Sequence, residues 1–232
     1  MTGEALLVID TATRTPVVAL ADRHGKLLGE QRWVSRHRHG EELLDRIDVL
    51  VADCGTARSD LGGVIVGTGP GSFTGLRIGL ATAKTIAYSL GIRLVGASTS
   101  LALADAAWLA EPASKEVVVT LPAGAVDRYE VRIRVGDSGP AQVGTAQLVA
   151  GPPSDADWLI AIDLDASLVS DASIARGGRA IDGLAASLAK LGAQRLAGGE
   201  SDDPAELVPA YVALPRGIAR AAAEMEWSPD LR

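Results

Sequence analysis

Two groups of residues in this chain have types and spacing that could do chemistry: a glycine-dense turn and an early aspartate. Gly67-Thr68-Gly69-Pro70-Gly71-Ser72 follows the apolar run Val64-Ile65-Val66 and precedes a helix-forming stretch from about Thr74 to Leu90. A strand, a glycine turn and a helix in that order can present backbone N–H groups to a phosphate. The established phosphate and nucleophile motifs nevertheless fail here. A P-loop needs lysine before its hydroxyl residue, whereas Gly71 meets Ser72 directly and Lys84 lies well inside the helix. A dinucleotide fingerprint would need glycine where Ser72 stands. A hydrolase elbow would need glycines where Pro70 and Thr74 stand. Ser72 therefore reads as a helix N-cap.

Asp10 ends the apolar run Ala5–Ile9 and is followed by Thr11, Ala12 and Thr13. A carboxylate in that position can hold a metal–phosphate complex through water, and it equally suits a plain turn. Asp10, Thr11 and Thr13 are thus the candidate nucleotide-binding residues. Of the histidines, His37 and His39 are two apart and diverge on a helix, and Glu41 rather than histidine stands four after His37, so no metal centre is expected. Arg32, Arg36 and Arg38 beside them would repel a cation; this basic patch fits solvated surface or contact with an acidic partner or phosphate. The single cysteine, Cys54, can form no internal disulfide, which places the chain in a reducing compartment, the cytoplasm. Leu196-Ala197-Gly198-Gly199-Glu200-Ser201 reads as a loop.

These residues must be positioned by the elements around them. Val17–Ala21 and Lys26–Trp33 flank the loop Asp22-Arg23-His24-Gly25, which predicts three consecutive strands at the start of the chain. From Glu41 to Cys54 the period becomes helical, with Leu43, Leu44, Ile47, Leu50, Val51 and Cys54 in phase and Gly55 as the left-handed cap. A strand at 64–66, the helix to Leu90, a strand at 93–95 and a helix capped by Ser98 and running to Trp108 complete a β-β-β-α-β-α-β-α order. Within the second of these helices, Gly75, Gly79, Ala83 and Ala87 recur every fourth residue and form a stripe nearly free of side chains. Helical glycine costs about 1 kcal/mol relative to alanine, so the stripe answers a packing need. Packing against the chain's own sheet or first helix satisfies it, and so does a helix from another chain. After Pro112, Val117–Val119, Tyr129–Val135 and Ala141–Val149 suggest a second hairpin system, Asp157–Ile162 another strand, and Ile181–Leu191 a helix capped by Gly192. The polar stretch Glu224–Arg232 is expected to fray.

Composition narrows the function classes. The 232 residues are 47% hydrophobic, with mean hydropathy +0.20, which excludes disorder and supports a large core. Aromatic content is 3%, Phe73 being the one phenylalanine, so stacking platforms for single-stranded nucleic acid are not expected. The net charge of −7 opposes autonomous binding to a polyanion. No segment has the pattern of a signal peptide or the ~18 apolar residues of a membrane span, so neither export nor membrane association is expected.

The run from Val66 through Gly67-Thr68-Gly69-Pro70-Gly71-Ser72-Phe73-Thr74-Gly75-Leu76-Arg77-Ile78-Gly79-Leu80 to Ala81 resembles the TsaB family, the dimerisation subunits of the bacterial tRNA threonylcarbamoyladenosine machinery. Ile9-Asp10-Thr11-Ala12-Thr13, His39-Gly40-Glu41-Glu42-Leu43-Leu44 and Leu94-Val95-Gly96-Ala97-Ser98 support it, as do Asp203-Pro204, Pro209 and Tyr211 later on. The resemblance implies an α/β, actin-like ATPase (ribonuclease H-like) fold of two similar βββαβα lobes, the second degenerate, spanning residues 1–111 and 112–232. It implies a non-catalytic subunit that pairs with the catalytic paralogue TsaD and the ATPase TsaE. That assembly transfers threonylcarbamoyl from its adenylate to N6 of the adenosine beside the anticodon. Contact with tRNA would be indirect, through the complex, and the chain alone would form a homodimer. The implied partner interface is the first two long helices, with Leu43, Ile47, Leu50, Gly71, Ser72, Phe73, Thr74, Gly75, Arg77, Gly79 and Ala83. No cofactor is required of this chain, and ATP or ADP is expected, if anywhere, at the complex interface. Two features depart from the family: Leu121-Pro122-Ala123-Gly124-Ala125 has no acid before Asp127, and Tyr211-Val212-Ala213 replaces Tyr-Leu-Arg, with Arg216 the nearest substitute. The alternative reading is an independent ATP-binding phosphotransferase or ATPase using Asp10; a metallopeptidase lacks ligands. Whether Arg36, Arg38, Arg216 or Arg220 touches tRNA is left open by the residues alone.

Overall fold

Ala5–Asp10 (β1) is apolar until its final residue and buried along its whole length, because it is the middle strand of a sheet covered on both faces. The computed structural model describes residues 5–34, 39–112, 115–124, 126–151, 153–154 and 156–212. β1 pairs antiparallel with Val17–Asp22 (β2), which pairs with Leu27–Arg32 (β3). The turn between β2 and β3 is built as its residues require. Gly25 has a positive φ of 84°, and the Asp22 carboxylate accepts the N–H groups of His24 and Lys26. On its other side β1 runs parallel to Leu61–Gly67 (β4), and β4 to Arg93–Ala97 (β5), giving the order β3-β2-β1-β4-β5.

One face of this first sheet carries His39–Asp53 (α1) and Phe73–Leu90 (α2), whose inward residues Leu43, Ile47, Leu50, Leu80 and Ala83 share a core with Leu7, Ile9, Leu20, Val64 and Val66. Gly55 follows α1 at φ 61° and Gly91 closes α2 at φ 64°. The opposite face carries Thr99–Ala110 (α3), capped by Ser98 as expected, and Asp171–Ala197 (α4). These two helices pack on each other and on a second sheet made of Leu159–Ala161 (β10), Glu116–Pro122 (β6), Asp127–Arg134 (β7) and the short strands Ala141–Gln142 (β8) and Gln147–Ala150 (β9). Leu6, Val8, Ile65 and Val95 of the first sheet, Leu103 of α3, Leu184 and Leu188 of α4, and Val119, Val131 and Ile160 of the second sheet form one continuous core.

The second sheet repeats the first in outline: an antiparallel hairpin, β6 and β7, with a parallel strand, β10, beside β6 as β4 lies beside β1. The expected single segment 141–149 splits into β8 and β9, both paired to β7. Among the described residues no counterpart of α1 stands between β9 and β10, and β10 leads into α4 with no intervening counterpart of α2 and β5.

The expected helix at 181–191 is a correction. α4 starts ten residues earlier, capped by the Ser170 hydroxyl, and Gly192 lies inside it rather than ending it. A Cβ at Gly192 would strike the Ile65 side chain, and one at Gly183 the Ala106 methyl, so these glycines allow close packing instead of breaking the helix. The expected loop at 196–201 is correspondingly shorter, since Leu196 and Ala197 are still helical. Beyond α4 the chain follows the free edge of β5: Asp202 N–H donates to Leu94 O at 2.7 Å, Gly96 N–H donates to the Asp202 carboxylate at 2.7 Å, and Ala210 N–H donates to Thr68 O at 2.8 Å. Arg195 clamps this strap through Asp202, Glu200 and the Gly96 carbonyl. Among the described residues no helix is long and apolar enough to cross a membrane.

Candidate functional site

The glycine turn and the end of β1 form one hydrogen-bonded unit. Asp10 Oδ1 accepts the Ala12 N–H at 2.8 Å, and Oδ2 accepts the Thr99 hydroxyl at 2.6 Å. Thr99 Oγ1 in turn accepts the Gly69 N–H at 3.0 Å, and Thr99 N–H returns a bond to the Gly69 carbonyl. A Cβ at Gly67 would collide with the Asp10 carboxylate, which explains the glycine there. With 1% exposure, Asp10 has its carboxyl pushed up to about 6, burial outweighing the Thr99 and Ala12 hydrogen bonds that favour the charged form.

The neighbouring hydroxyls are engaged inside the chain as well. Thr11 Oγ1 donates to the Gly75 carbonyl at 2.7 Å, and Thr13 Oγ1 donates to the Thr15 carbonyl while accepting the Thr15 N–H. Arg14 N–H reaches across to Asp163 Oδ2 at 2.7 Å, joining the end of β1 to the end of β10. Asp163 has a φ of 55°, and burial holds its carboxyl above the ordinary range against the Arg14 N–H and charge. Asp10, Thr11 and Thr13 therefore come together, but their polar atoms face protein partners. Among the described residues no cluster of three histidine, cysteine or acidic side chains could hold a metal ion.

The turn residues act as spacers and caps. A Cβ at Gly71 would meet Ala12, Ser72 N–H donates to the Ala12 carbonyl at 2.7 Å, and the Ser72 hydroxyl accepts the Gly75 N–H, the expected N-cap. The stripe of α2 faces inward. A Cβ added at Gly75 would collide with the Thr11 carbonyl and one at Gly79 with the Thr11 hydroxyl, and Ala83 and Ala87 are buried. The close approach made by these small residues is thus to the chain's own β1 terminus. Leu43, Ile47 and Leu50 are likewise committed to the core under α1. Of the expected interface residues, Leu43, Ile47, Leu50, Gly71, Gly75, Gly79 and Ala83 are buried in the chain's own fold.

What α1 and α2 present outward is different, and periodicity alone did not pick it out. Thr74, Ile78, Ala81, Thr82, Thr85 and Ser89 form a second stripe on α2, exposed or half-exposed, uncharged and, Ile78 apart, small. The Thr85 hydroxyl is turned back onto the Ala81 carbonyl at 2.8 Å, which lowers the polarity of this surface. Leu44 at 53% exposure and Val49 at 50% stand on α1, and Tyr88 at 84% near the end of α2. At the head of α2 the Arg77 guanidinium lies 3.9 Å over the Phe73 ring, Phe73 meets Tyr211 at 5.7 Å between centroids, and Arg77 Nε donates to Tyr211 Oη at 3.2 Å. Phe73, Thr74 and Arg77 are therefore accessible, as an interface role requires. Residues 35–38 and 213–232, with Arg36, His37, Arg38, Arg216 and Arg220, lie outside the described residues, as does the 224–232 stretch expected to fray.

Residues 32–150, just over half of the chain, match the family model described as TsaD: tRNA N6-adenosine threonylcarbamoyltransferase. The Bacillus subtilis tRNA threonylcarbamoyladenosine biosynthesis protein TsaB is 36% identical over 99 residues, covering 43% of this chain and 43% of that protein. Its Escherichia coli namesake is 34% identical over 103 residues, covering 44% of each. The matched stretch spans under half the length of these curated relatives. Among solved structures, YeaZ from Pseudomonas aeruginosa superposes with a TM-score of 0.68 at 25% identity, covering 89% of this chain and 99% of that one.

Proposed function

The chain belongs to the TsaD (tRNA N6-adenosine threonylcarbamoyltransferase) family and is TsaB- or YeaZ-like within it, and from that premise we propose that it is a non-catalytic subunit needed to form N6-threonylcarbamoyladenosine in tRNA. It acts by pairing with a TsaD-like catalytic paralogue through the outward surfaces of α1 and α2, and a TsaE-like ATPase joins the pair. The observation that carries this reading is the outer stripe of α2. Small uncharged side chains at Ala81, Thr82 and Thr85, beside the apolar Ile78, let a second helix approach closely, and α1 exposes Leu44 and Val49. In the absence of the paralogue the same surface pairs two copies of this chain. With a net charge of −7, the chain leaves the tRNA to its partners, in the cytoplasm.

Sealing of Asp10, Thr11 and Thr13 argues against the rival reading, an independent ATPase or phosphotransferase. At 1% exposure, with both carboxylate oxygens accepting hydrogen bonds from within the chain, Asp10 fits a structural role better than that of holding a metal–nucleotide complex. Any nucleotide would sit at the junction with the paralogue.

Depletion of the protein followed by mass spectrometry of tRNA nucleosides tests the function; threonylcarbamoyladenosine should fall, and an unchanged level would overturn it. For the surface, Ala81→Arg places a charge in the outer stripe without touching the core, and it should abolish co-purification with the paralogue while the melting temperature stays within a degree or two. Undiminished pairing would remove α2 from the interface.

A further inference from the structure

The outer face of the second sheet, away from α3 and α4, holds polar atoms sealed from solvent and, among the described residues, without a hydrogen-bond partner: Nε and Nη1 of Arg128, Oγ1 of Thr120 and Oγ of Ser154. Thr120 is fully buried and Arg128 is 6% exposed. The register brings them together. Thr120 lies opposite Glu130 and Pro122 opposite Arg128 on the β6–β7 pair, so all four side chains share one face. Ser154 is tied to that face by its N–H, which donates to Glu130 Oε1 at 2.7 Å.

These groups have a common character. A guanidinium offers only donors, each hydroxyl can donate, and the carboxylate among them, Glu130, already accepts from Ser154. A buried guanidinium with two of its donors unpartnered among the described residues is costly for a fold to carry, even with Glu130 on the same face. An oxyanion satisfies the whole set: its oxygens match the planar fork of the arginine and accept from both hydroxyls. Arg132 and Arg134, exposed at alternate positions further along β7 on the same face, add positive field, Arg134 being paired to Glu116.

We propose that Arg128, Thr120 and Ser154 form a binding site for a phosphate-type oxyanion on the C-terminal half of the chain. It is remote from the α1–α2 surface, so its test is independent of the partner role.

The test uses the purified full chain, titrated with inorganic phosphate and separately with ADP against chloride at matched ionic strength, read by melting temperature and by calorimetry. A saturable rise with one site per chain is expected. Arg128→Lys, which keeps the charge and loses the fork, should weaken binding at least tenfold. Thr120→Val keeps the side-chain shape and guards against a folding defect at Arg128; it should weaken binding several-fold. Binding of inorganic phosphate assigns the site to the free ion, and binding of ADP alone assigns it to the phosphoryl group of a larger molecule, provided Thr120→Val diminishes either. No saturable response in the wild-type chain would overturn the site. So would a Thr120→Val chain that melts higher without phosphate and binds it as tightly as before, since the hydroxyl would then be a mere orphan.

Discussion

The two sheets share a strand plan and differ in what covers them. The first has α1 and α2 on one face and α3 and α4 on the other, and its β1 and β4 are apolar and buried almost end to end. Among the described residues the second meets helices on one face only, and β7 correspondingly alternates exposed Arg132 and Arg134 with buried Val131 and Ile133. Helices on an outer face do two things at once: they bury the sheet, and they create a new surface of their own. The half that keeps them carries an uncharged stripe suited to a protein partner, whereas the half without them leaves charged and hydroxyl groups on the sheet itself. The same sandwich arrangement makes α3 and α4 common property, since both sheets close on them.

The largest effect tests that shared middle layer. Leu103, fully buried on α3 between the sheets, should cost about 2–5 kcal/mol when changed to alanine, and denaturant unfolding should keep a single transition. Two transitions, with only one shifted, would mean that the halves stand independently.

Next comes the joint between β1 and the glycine turn. Asp10 has a folded value of about 6 against an ordinary 3.8, so the folded chain holds this proton more tightly than the unfolded one. Its contribution is most favourable below about pH 4 and is lost as pH rises through about 6, a difference of at most ~3 kcal/mol. Asp10→Asn should remove that slope, measured as urea stability from pH 4 to 7 relative to the wild type. Parallel curves would show that the carboxyl is not buried as described.

The inward and outward stripes of α2 provide a sharper contrast. Gly79→Leu forces a side chain onto Thr11 and should cost about 1–3 kcal/mol, while Ala81→Leu, on the exposed side, should change stability by under about 0.5 kcal/mol. Equal effects would erase the distinction between the two stripes. Smallest are the caps: Ser98→Ala and Ser170→Ala should each cost about 1 kcal/mol by thermal denaturation, one in each half, because each hydroxyl accepts a first-turn N–H.

Much of the first half is readable from residue order because its signals are local. Asp22–Gly25 makes its own turn, Gly55 and Gly91 take the left-handed conformation, and Ser72 and Ser98 accept from their own helices. α4 is not readable in this way, since Gly177, Gly178 and Gly192 look like breakers until Ala161 and Ile65 are seen pressing on two of them. The stripe on α2 fails for a related reason: a row of small residues announces close approach without saying whose backbone approaches. Burial of Asp10 is equally invisible locally, because its partner Thr99 is 89 positions away.

The placement of α4 also sets a timetable for synthesis. All five strands of the first sheet are complete by residue 97, yet the helix that seals one of its faces runs from 171 to 197. At roughly 5–20 residues per second, Ile65 and Val95 wait about 5–20 s on the ribosome before their cover exists. During that interval α3 alone covers this face of the nascent sheet, so nascent-chain chaperones have a defined window in which to hold the apolar area that α4 later buries.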